Sequence, residues 1–430
     1  MKNFSAPDRQ KEIYTTGVSG IKSKIPFDIN RLEAKAKRNI SEEAFAYIRG
    51  GAGIQSTVQH NRSDFSNWRI VPRMLQDVSV RDTSVELFGE KLPIPLLLSP
   101  VGVLDMVHKE SDIAVGKAAA NFGIPMIFSN QASRSMEAVA NVMDESPRWF
   151  QLYWSKSNEL VESLVTRAEK AGCSAIVVTL DTTLLGWRTE DLDLAYLPFL
   201  RGKGIAQYVS DPVFQKLLDE PEDEDSVQLK PKITVEAIKF LFELMSNYPG
   251  GFFENLRSQR PMKAVRKFID IYSRPSLTWD DLVFLRTITK LPILLKGILH
   301  PDDARKAVNA GIDGIIVSNH GGRQVDGSIS TIMALPEIAK AVKQQIPILL
   351  DSGVRGGADM FKAINLGATA VCIGRPYVYG LAIDGQKGVE DIIKNYWADF
   401  ELTMALAGCK NIEEVRQAKV IPSFSLENYS

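Results

Sequence analysis

Short runs of apolar, β-rich residues recur along the chain at 94–98, 124–128, 149–153, 175–180, 293–295, 314–317, 346–350 and 370–373, each followed by a segment of helical character. Eight strand-like runs alternating with helices predict a parallel (β/α)8 TIM barrel. The intervening segments support it. Residues 302–308 read as a helix entered through an acidic first turn, Asp302 and Asp303, and ended by Gly311, and residues 358–366 repeat the pattern ahead of Gly367. A doubly wound open sheet is the competing α/β architecture. It accounts less well for eight evenly built units, and no glycine fingerprint opens the first strand-to-helix turn.

Two segments exceed the roughly 250 residues of a minimal barrel. Residues 1–90 form an N-terminal extension expected to pack on the barrel of residues 91–430, with helical patches at 32–37 and 42–48. The second is the connection between the fourth and fifth strands, about residues 192–278, far longer than the usual limit of about 12–15 residues for a structureless loop. It carries the acidic run Glu220-Pro221-Glu222-Asp223-Glu224-Asp225, which reads as a solvated, mobile turn. Its flanks, 196–200, Val213-Phe214, 240–245 and Phe252-Phe253, hold enough apolar residues to pack. A lid with helical anchors and a mobile acidic tip is expected.

Composition narrows the functional classes. The chain has 430 residues, 45% of them hydrophobic, enough for a sizeable core. Its 51 basic and 52 acidic residues are interspersed and give a net charge of -1. Nothing in that balance calls for a nucleic acid or an anionic membrane as partner, so any anion must be caught by a local site. The three cysteines, Cys173, Cys372 and Cys409, include no close pair for a zinc site or a disulfide framework, and no metal is expected. Cys173 and Cys372 read as small core residues. No apolar signal region opens the sequence, and no run approaches the roughly 18 apolar residues of a membrane span. The expected location is the cytoplasm.

The candidate chemistry gathers at strand ends, where barrels of this kind carry their sites. Ser318-Asn319-His320-Gly321-Gly322-Arg323 directly follows the sixth run. His320 is suited to take a proton near neutral pH, and Arg323 to grip a carboxylate with two parallel hydrogen bonds. A lone histidine at a strand end is more often a hydrogen-bonded structural residue; the adjoining arginine and glycines turn the reading toward a site. Asp181 closes the fourth strand with a carboxylate able to orient and stabilise a protonated His320. Lys296 ends the fifth apolar run, a costly place for an ammonium unless an anion or electron-rich ligand meets it. Gln151 and Tyr153 end the third strand and supply hydrogen bonds. The last two strands lead into Asp351-Ser352-Gly353-Val354-Arg355-Gly356-Gly357 and Gly374-Arg375-Pro376, glycine-rich turns with arginines that suit a phosphate.

Six blocks, SNHGGRQVDG (318–327), LPILLKG (291–297), QLYW (151–154), TLDTTLLGWR (179–188), DSGVRGGAD (351–359) and IGRP (373–376), resemble the FMN-dependent 2-hydroxy acid oxidoreductase family over nearly the whole chain, from about residue 12 on. The resemblance implies an FMN cofactor, with His320 as active-site base and Asp181 as its partner. It implies Tyr47, Arg188 and Arg323 for the substrate carboxylate and Tyr153 near the substrate hydroxyl. Lys296 would face the flavin pyrimidine edge; Ser129, Gln151, Thr179 and Ser318 would line the ring site; the backbone of Pro100, Val101 and Gly102 would run beside flavin N5. Asp351, Gly353, Arg355, Gly374 and Arg375 would hold the ribityl phosphate. Within the family the segments 185–188, 198–202 and 208–216 and the residue Gly102 are most similar to the lactate 2-monooxygenases, which implies L-lactate and O2 as substrates and acetate, CO2 and water as products. A homotetramer is implied in the same way. Ile54 stands where the family usually has an acidic residue, and Gln131 where some members carry tryptophan. Release of pyruvate and peroxide (an oxidase), use of another acceptor (a dehydrogenase), an FMN barrel isomerase acting on a phosphorylated substrate, and a non-enzymatic flavin scaffold are the other readings.

Overall fold

The eight expected runs close into one parallel barrel in a computed structural model that describes residues 5–220 and 234–423. The barrel strands are β1 (Leu96–Leu98), β2 (Met126–Phe128), β3 (Arg148–Leu152), β4 (Ile176–Thr179), β5 (Ile293–Ile298), β6 (Gly314–Val317), β7 (Ile348–Leu350) and β8 (Ala370–Ile373). Each pairs with its neighbours in sequence, and β8 closes on β1 through Cys372 opposite Leu97.

The two-residue period of a strand sorts the apolar side chains into two sets. Leu96, Leu98, Phe128, Phe150, Ile176, Val178, Leu295 and Val317 face outward into the helices and join one large core. Leu97, Ile127, Trp149, Val177, Leu294, Ile316, Leu349 and Cys372 face inward and form a second, separate cluster that fills the barrel. Val85, Leu87 and Leu92 belong to that inner cluster. They come from the hairpin Val85–Leu87/Glu90–Leu92, whose Phe88 packs 5.7 Å from Trp149, so the hairpin plugs the amino-terminal end of the barrel. The opposite end is left for ligands.

Ahead of the barrel come four helices, Ala6–Val18, Ile29–Lys37, Glu42–Arg49 and Ser56–Ser63. The second and third match the expected patches; the first and fourth are too polar to show a strong apolar stripe. Ala6–Val18 is instead held by polar contacts to the long helix Arg375–Leu406: buried Arg9 donates to Asp391 at 3.1 Å and to Asn395 at 3.0 Å, and the Ala6 amide donates to Glu401 at 2.8 Å.

Between β4 and β5 the described residues form helices Thr189–Asp193, Ala206–Val209, Pro212–Leu217, Val235–Asn247, Phe252–Ser258, Arg260–Ile271 and Asp281–Ile288. Phe199, Tyr208, Phe214 and Phe268 are buried among them. Of the acidic run expected to be a mobile tip, all but Glu220 lies outside the described residues. Among the described residues no helix is long and apolar enough to cross a membrane.

Candidate active site

Two residues beyond each inward apolar residue, the barrel interior changes character. The next inward layer reads Ser99, Ser129, Gln151, Thr179, Lys296, Ser318, Asp351 and Gly374, one from each strand or its immediate end. Strand geometry alone brings these eight together, because every one keeps the parity of the apolar residue beneath it. One step further lie Gln131, Tyr153, Asp181, His320 and Gly353. A cavity of about 480 Å³ opens above this ring.

At its centre Lys296, only 3% exposed, donates to Ser318 Oγ at 3.0 Å and faces Asp351 at 3.6 Å and Asp181 at 3.9 Å. Burial favours the neutral amine, but the two carboxylates outweigh it and hold the ammonium above its ordinary value. His320 Nδ1 meets Asp181 Oδ1 at 2.7 Å, and Thr182 Oγ1 bridges both, at 2.9 Å from Asp181 and 3.2 Å from His320. With Asp181 as a carboxylate, Nδ1–H is the donor and Nε2 keeps a free lone pair. Burial of Asp181 opposes its charge, yet His320 and Lys296 hold its carboxyl well below the usual range. His320 has φ 58°, a left-handed backbone seldom adopted outside glycine, pinned by its own amide on Ser318 Oγ at 3.1 Å and the Gly321 amide on Ser352 Oγ at 2.9 Å. Gly321 follows at φ 66°, where a Cβ would meet the Arg375 guanidinium at 2.7 Å.

A second cluster lies to one side. Helix Glu42–Arg49 ends pointing at the cavity, and its unpaired carbonyls are claimed by arginines from the barrel loops. Arg323 Nη1 donates to the Tyr47 and Gly50 carbonyls, and its guanidinium sits 4.9 Å from the centroid of the Tyr47 ring. Arg375 donates to Ile48 and Gly50 and to Gly321, at 2.9 to 3.0 Å. Arg375 is thus largely committed to backbone carbonyls and ties the loop after β8 to the end of this helix. Arg188, 6% exposed, donates to Gln324 Oε1 at 3.1 Å and lies beside Arg323. Burial and the like charge of Arg188 push Arg323 down to about 9, still ionised at neutral pH. Two neighbouring buried cations of this kind call for an anion.

Of the residues named from the sequence, Tyr47, Tyr153, Arg188, His320, Arg323, Lys296, Pro100, Val101, Gly102, Ser129, Asp351, Gly353, Arg355, Gly374 and Arg375 line the cavity. Asp181, Gln151, Thr179 and Ser318 stand just behind its wall. Ser318 is fully buried, and its hydroxyl accepts from Lys296 Nζ and from the His320 amide. Thr182, Ser99, Asn130 and Gln324 escaped the sequence reading. Ser99 was legible, since it continues the parity of Leu97. Around position 54 the loop amides are held by Asp326, which accepts from Ile54 at 2.9 Å and from Thr57 at 3.1 Å.

A model of the FMN-dependent dehydrogenase family matches residues 36–422. The chain belongs to this family. An L-lactate oxidase of Lysinibacillus sphaericus is 42% identical over 95% of this chain and 97% of its own length, and 2-hydroxyacid oxidase 1 of Homo sapiens is 37% identical over 91% and 95%. Among solved structures, mandelate oxidase with (S)-4-hydroxymandelic acid superposes with a TM-score of 0.76 at 32% identity, covering 92% of this chain and 99% of that one. The enzyme's cofactor is FMN, and its chemistry, at the level these relatives share, is oxidation of a 2-hydroxy acid.

The site suits that cofactor. Gln151 Nε2, Thr179 Oγ1 and Arg355 Nε are buried without a partner, an arrangement that is costly unless a ligand supplies acceptors and donors. The first two belong to the polar ring, where a flat heteroaromatic edge with alternating N–H and C=O groups would satisfy them. Arg355 belongs to the turn after β7, where Gly353, at φ 97°, packs on the Asn61 carbonyl too closely for any side chain.

Proposed function

We propose that this enzyme oxidises a small (S)-2-hydroxy acid, L-lactate first, with O2 as acceptor. The observation that carries the reading is one cavity flanked by a His320–Asp181 pair and, beside it, by the Arg188, Arg323 and Tyr47 cluster. Oxidation of the carbinol removes two electrons and two protons. Bound FMN would supply the acceptor for the two electrons and for the proton that His320 does not take, with O2 as the final oxidant. The protein's own residues do the rest. Arg188 and Arg323 hold the substrate carboxylate, with the buried Tyr47 hydroxyl, kept protonated by its burial, as a further donor. His320 Nε2 accepts one proton, and Asp181 stabilises the imidazolium that results. Tyr153, also kept protonated by burial, faces the substrate hydroxyl. Lys296 would offer a fixed positive charge to the pyrimidine edge of the ring and so favour its reduced form. Ser129, Gln151 and Thr179 would hold the ring's polar edge, the backbone of Pro100, Val101 and Gly102 would lie alongside it, and Asp351, Gly353, Arg355, Gly374 and Arg375 would hold the ribityl phosphate chain.

The insertion supports retention of products. Phe199, Phe268, Ile269 and Tyr272 from it line the cavity, and a lid that keeps pyruvate and peroxide together gives acetate, CO2 and water. The names of the relatives favour a second reading, release of pyruvate and peroxide as an oxidase. By family resemblance the active form is a homotetramer.

Anaerobic mixing of the FMN-loaded enzyme with L-lactate, then oxygen and product analysis, tests all of this. Flavin bleaching followed by acetate and CO2 is the monooxygenase outcome; bleaching followed by pyruvate and peroxide is the oxidase outcome. No bleaching with L-lactate or longer 2-hydroxy acids would overturn the substrate assignment. His320→Ala should retain FMN and slow bleaching by about 10²- to 10⁴-fold, and unchanged bleaching would remove His320 as the base.

A further inference from the structure

One carboxylate just behind the wall of the site has no part in the proposed reaction. Asp191 lies on the short helix Thr189–Asp193, three residues after Arg188. Its side chain is 12% exposed, the same as that of Arg323, and its Oδ2 stands 3.9 Å from Arg323 Nη2. That is beyond hydrogen-bond reach, so Asp191 acts on the arginines through charge. It stands behind Arg323 and not on the cavity surface. Burial pushes its carboxyl above the usual range while Arg323 and Arg188 pull it back.

The helix does not depend on Asp191 for its place. Glu190 pairs with Arg49 and accepts from Gln55 Nε2 at 2.7 Å, and Thr189 Oγ1 donates to the Gly53 carbonyl at 2.9 Å. Asp191 is therefore free to serve another end. Two guanidiniums and one carboxylate leave this cluster a single net positive charge, which one substrate carboxylate neutralises. Deeper in the cavity the Lys296 ammonium is already met by both Asp181 and Asp351. Arg355 and Arg375 also line the cavity, and in the proposed reading their charges answer the cofactor phosphate, so no cation is left over for a second carboxylate.

We infer that Asp191 is a specificity-determining residue that restricts the enzyme to substrates with one carboxylate and disfavours 2-hydroxy dicarboxylates. The inference rests on the reading that Arg188 and Arg323 hold the substrate carboxylate.

Oxamate and oxalate are nearly isosteric and differ by one charge, which makes them the probes. Their dissociation constants are measured by calorimetry on the FMN-loaded enzyme and on Asp191→Asn. Removing one negative charge gives each unit of ligand charge roughly the same gain, so a monoanion that tightens about threefold implies a dianion that tightens about tenfold. The oxalate-to-oxamate preference should rise at least threefold and return to the original value in Asp191→Glu. Half-saturation of flavin reduction by tartronate, which is lactate with a carboxylate in place of the methyl group, should fall relative to that by L-lactate. If both ligands shift by one common factor, or neither shifts, Asp191 is only structural and the inference is overturned. Asp191→Ser repeats the test should the asparagine variant fail to load FMN. Arg323→Lys and Arg188→Lys separate the two readings: if neither weakens oxamate, the carboxylate site itself is misassigned, whereas weakening there with an unmoved preference in Asp191→Asn defeats the inference alone.

Discussion

His320 is held below its ordinary basicity by burial, with Asp181 pulling upward and Lys296 pushing down again. The neutral imidazole is the form that accepts a proton, so kcat/KM for the hydroxy acid should rise with pH through a value below about 6.5 and be flat at neutrality. Asp181→Asn removes the negative charge that favours the imidazolium, so the acid limb should move to still lower pH while flavin reduction slows by about 10²- to 10⁴-fold. Stopped-flow reduction across the acid range checks both; a limb that moves upward would show that Asp181 does not act through His320. At this scale the sequence was informative for the side chains that bring charge, because His320, Arg323, Lys296 and Asp181 are chemically conspicuous at strand ends. It was silent on Thr182 and on the commitment of Arg375 to three carbonyls, which arise from contacts between segments far apart in the chain.

Among the elements, the insertion between β4 and β5 is tied together by aromatic side chains. Phe268 sits 4.8 Å from Tyr208 and 5.3 Å from Phe199, and Phe199 in turn lies 6.4 Å from Tyr47 of the substrate cluster. Phe268→Ala should cost about 3–5 kcal/mol of stability and make the insertion the first segment cut in limited proteolysis; a pattern of cleavage identical to that of the parent enzyme would separate the insertion's order from this aromatic cluster. The apolar runs predicted all eight barrel strands because a strand buried on both faces advertises itself. The helices Ala6–Val18 and Ser56–Ser63 stayed hidden, since the first is held by Arg9 and backbone bonds and the second by the turn around Asp326.

For the whole molecule, the cavity is a convergence of residues from the carboxyl ends of the eight strands with the end of helix Glu42–Arg49. Buried polar atoms without partners make the cofactor-free form the less stable one. FMN at about 100 times its dissociation constant should add about 2.7 kcal/mol, read as a higher Tm than that of the stripped protein. Arg355→Ala, which removes the guanidinium with the unpartnered Nε, should weaken FMN binding by about tenfold or more and narrow that gap in Tm. Equal Tm values with and without FMN would mean that these polar atoms are satisfied some other way.

The division between sequence and tertiary structure follows from the range of the forces involved. Strand period and helix punctuation are local, so the chain by itself determined the barrel, the order of its strands and the parity that lifts Ser129, Gln151, Thr179, Lys296, Ser318, Asp351 and Gly374 into one polar layer. What only the folded molecule decided is which charges compensate one another: Lys296 between Asp181 and Asp351, the arginines on the carbonyls of helix Glu42–Arg49, and Asp191 behind Arg323. Electrostatic compensation depends on distances of a few ångströms across hundreds of residues, and chain closure in three dimensions is what sets them.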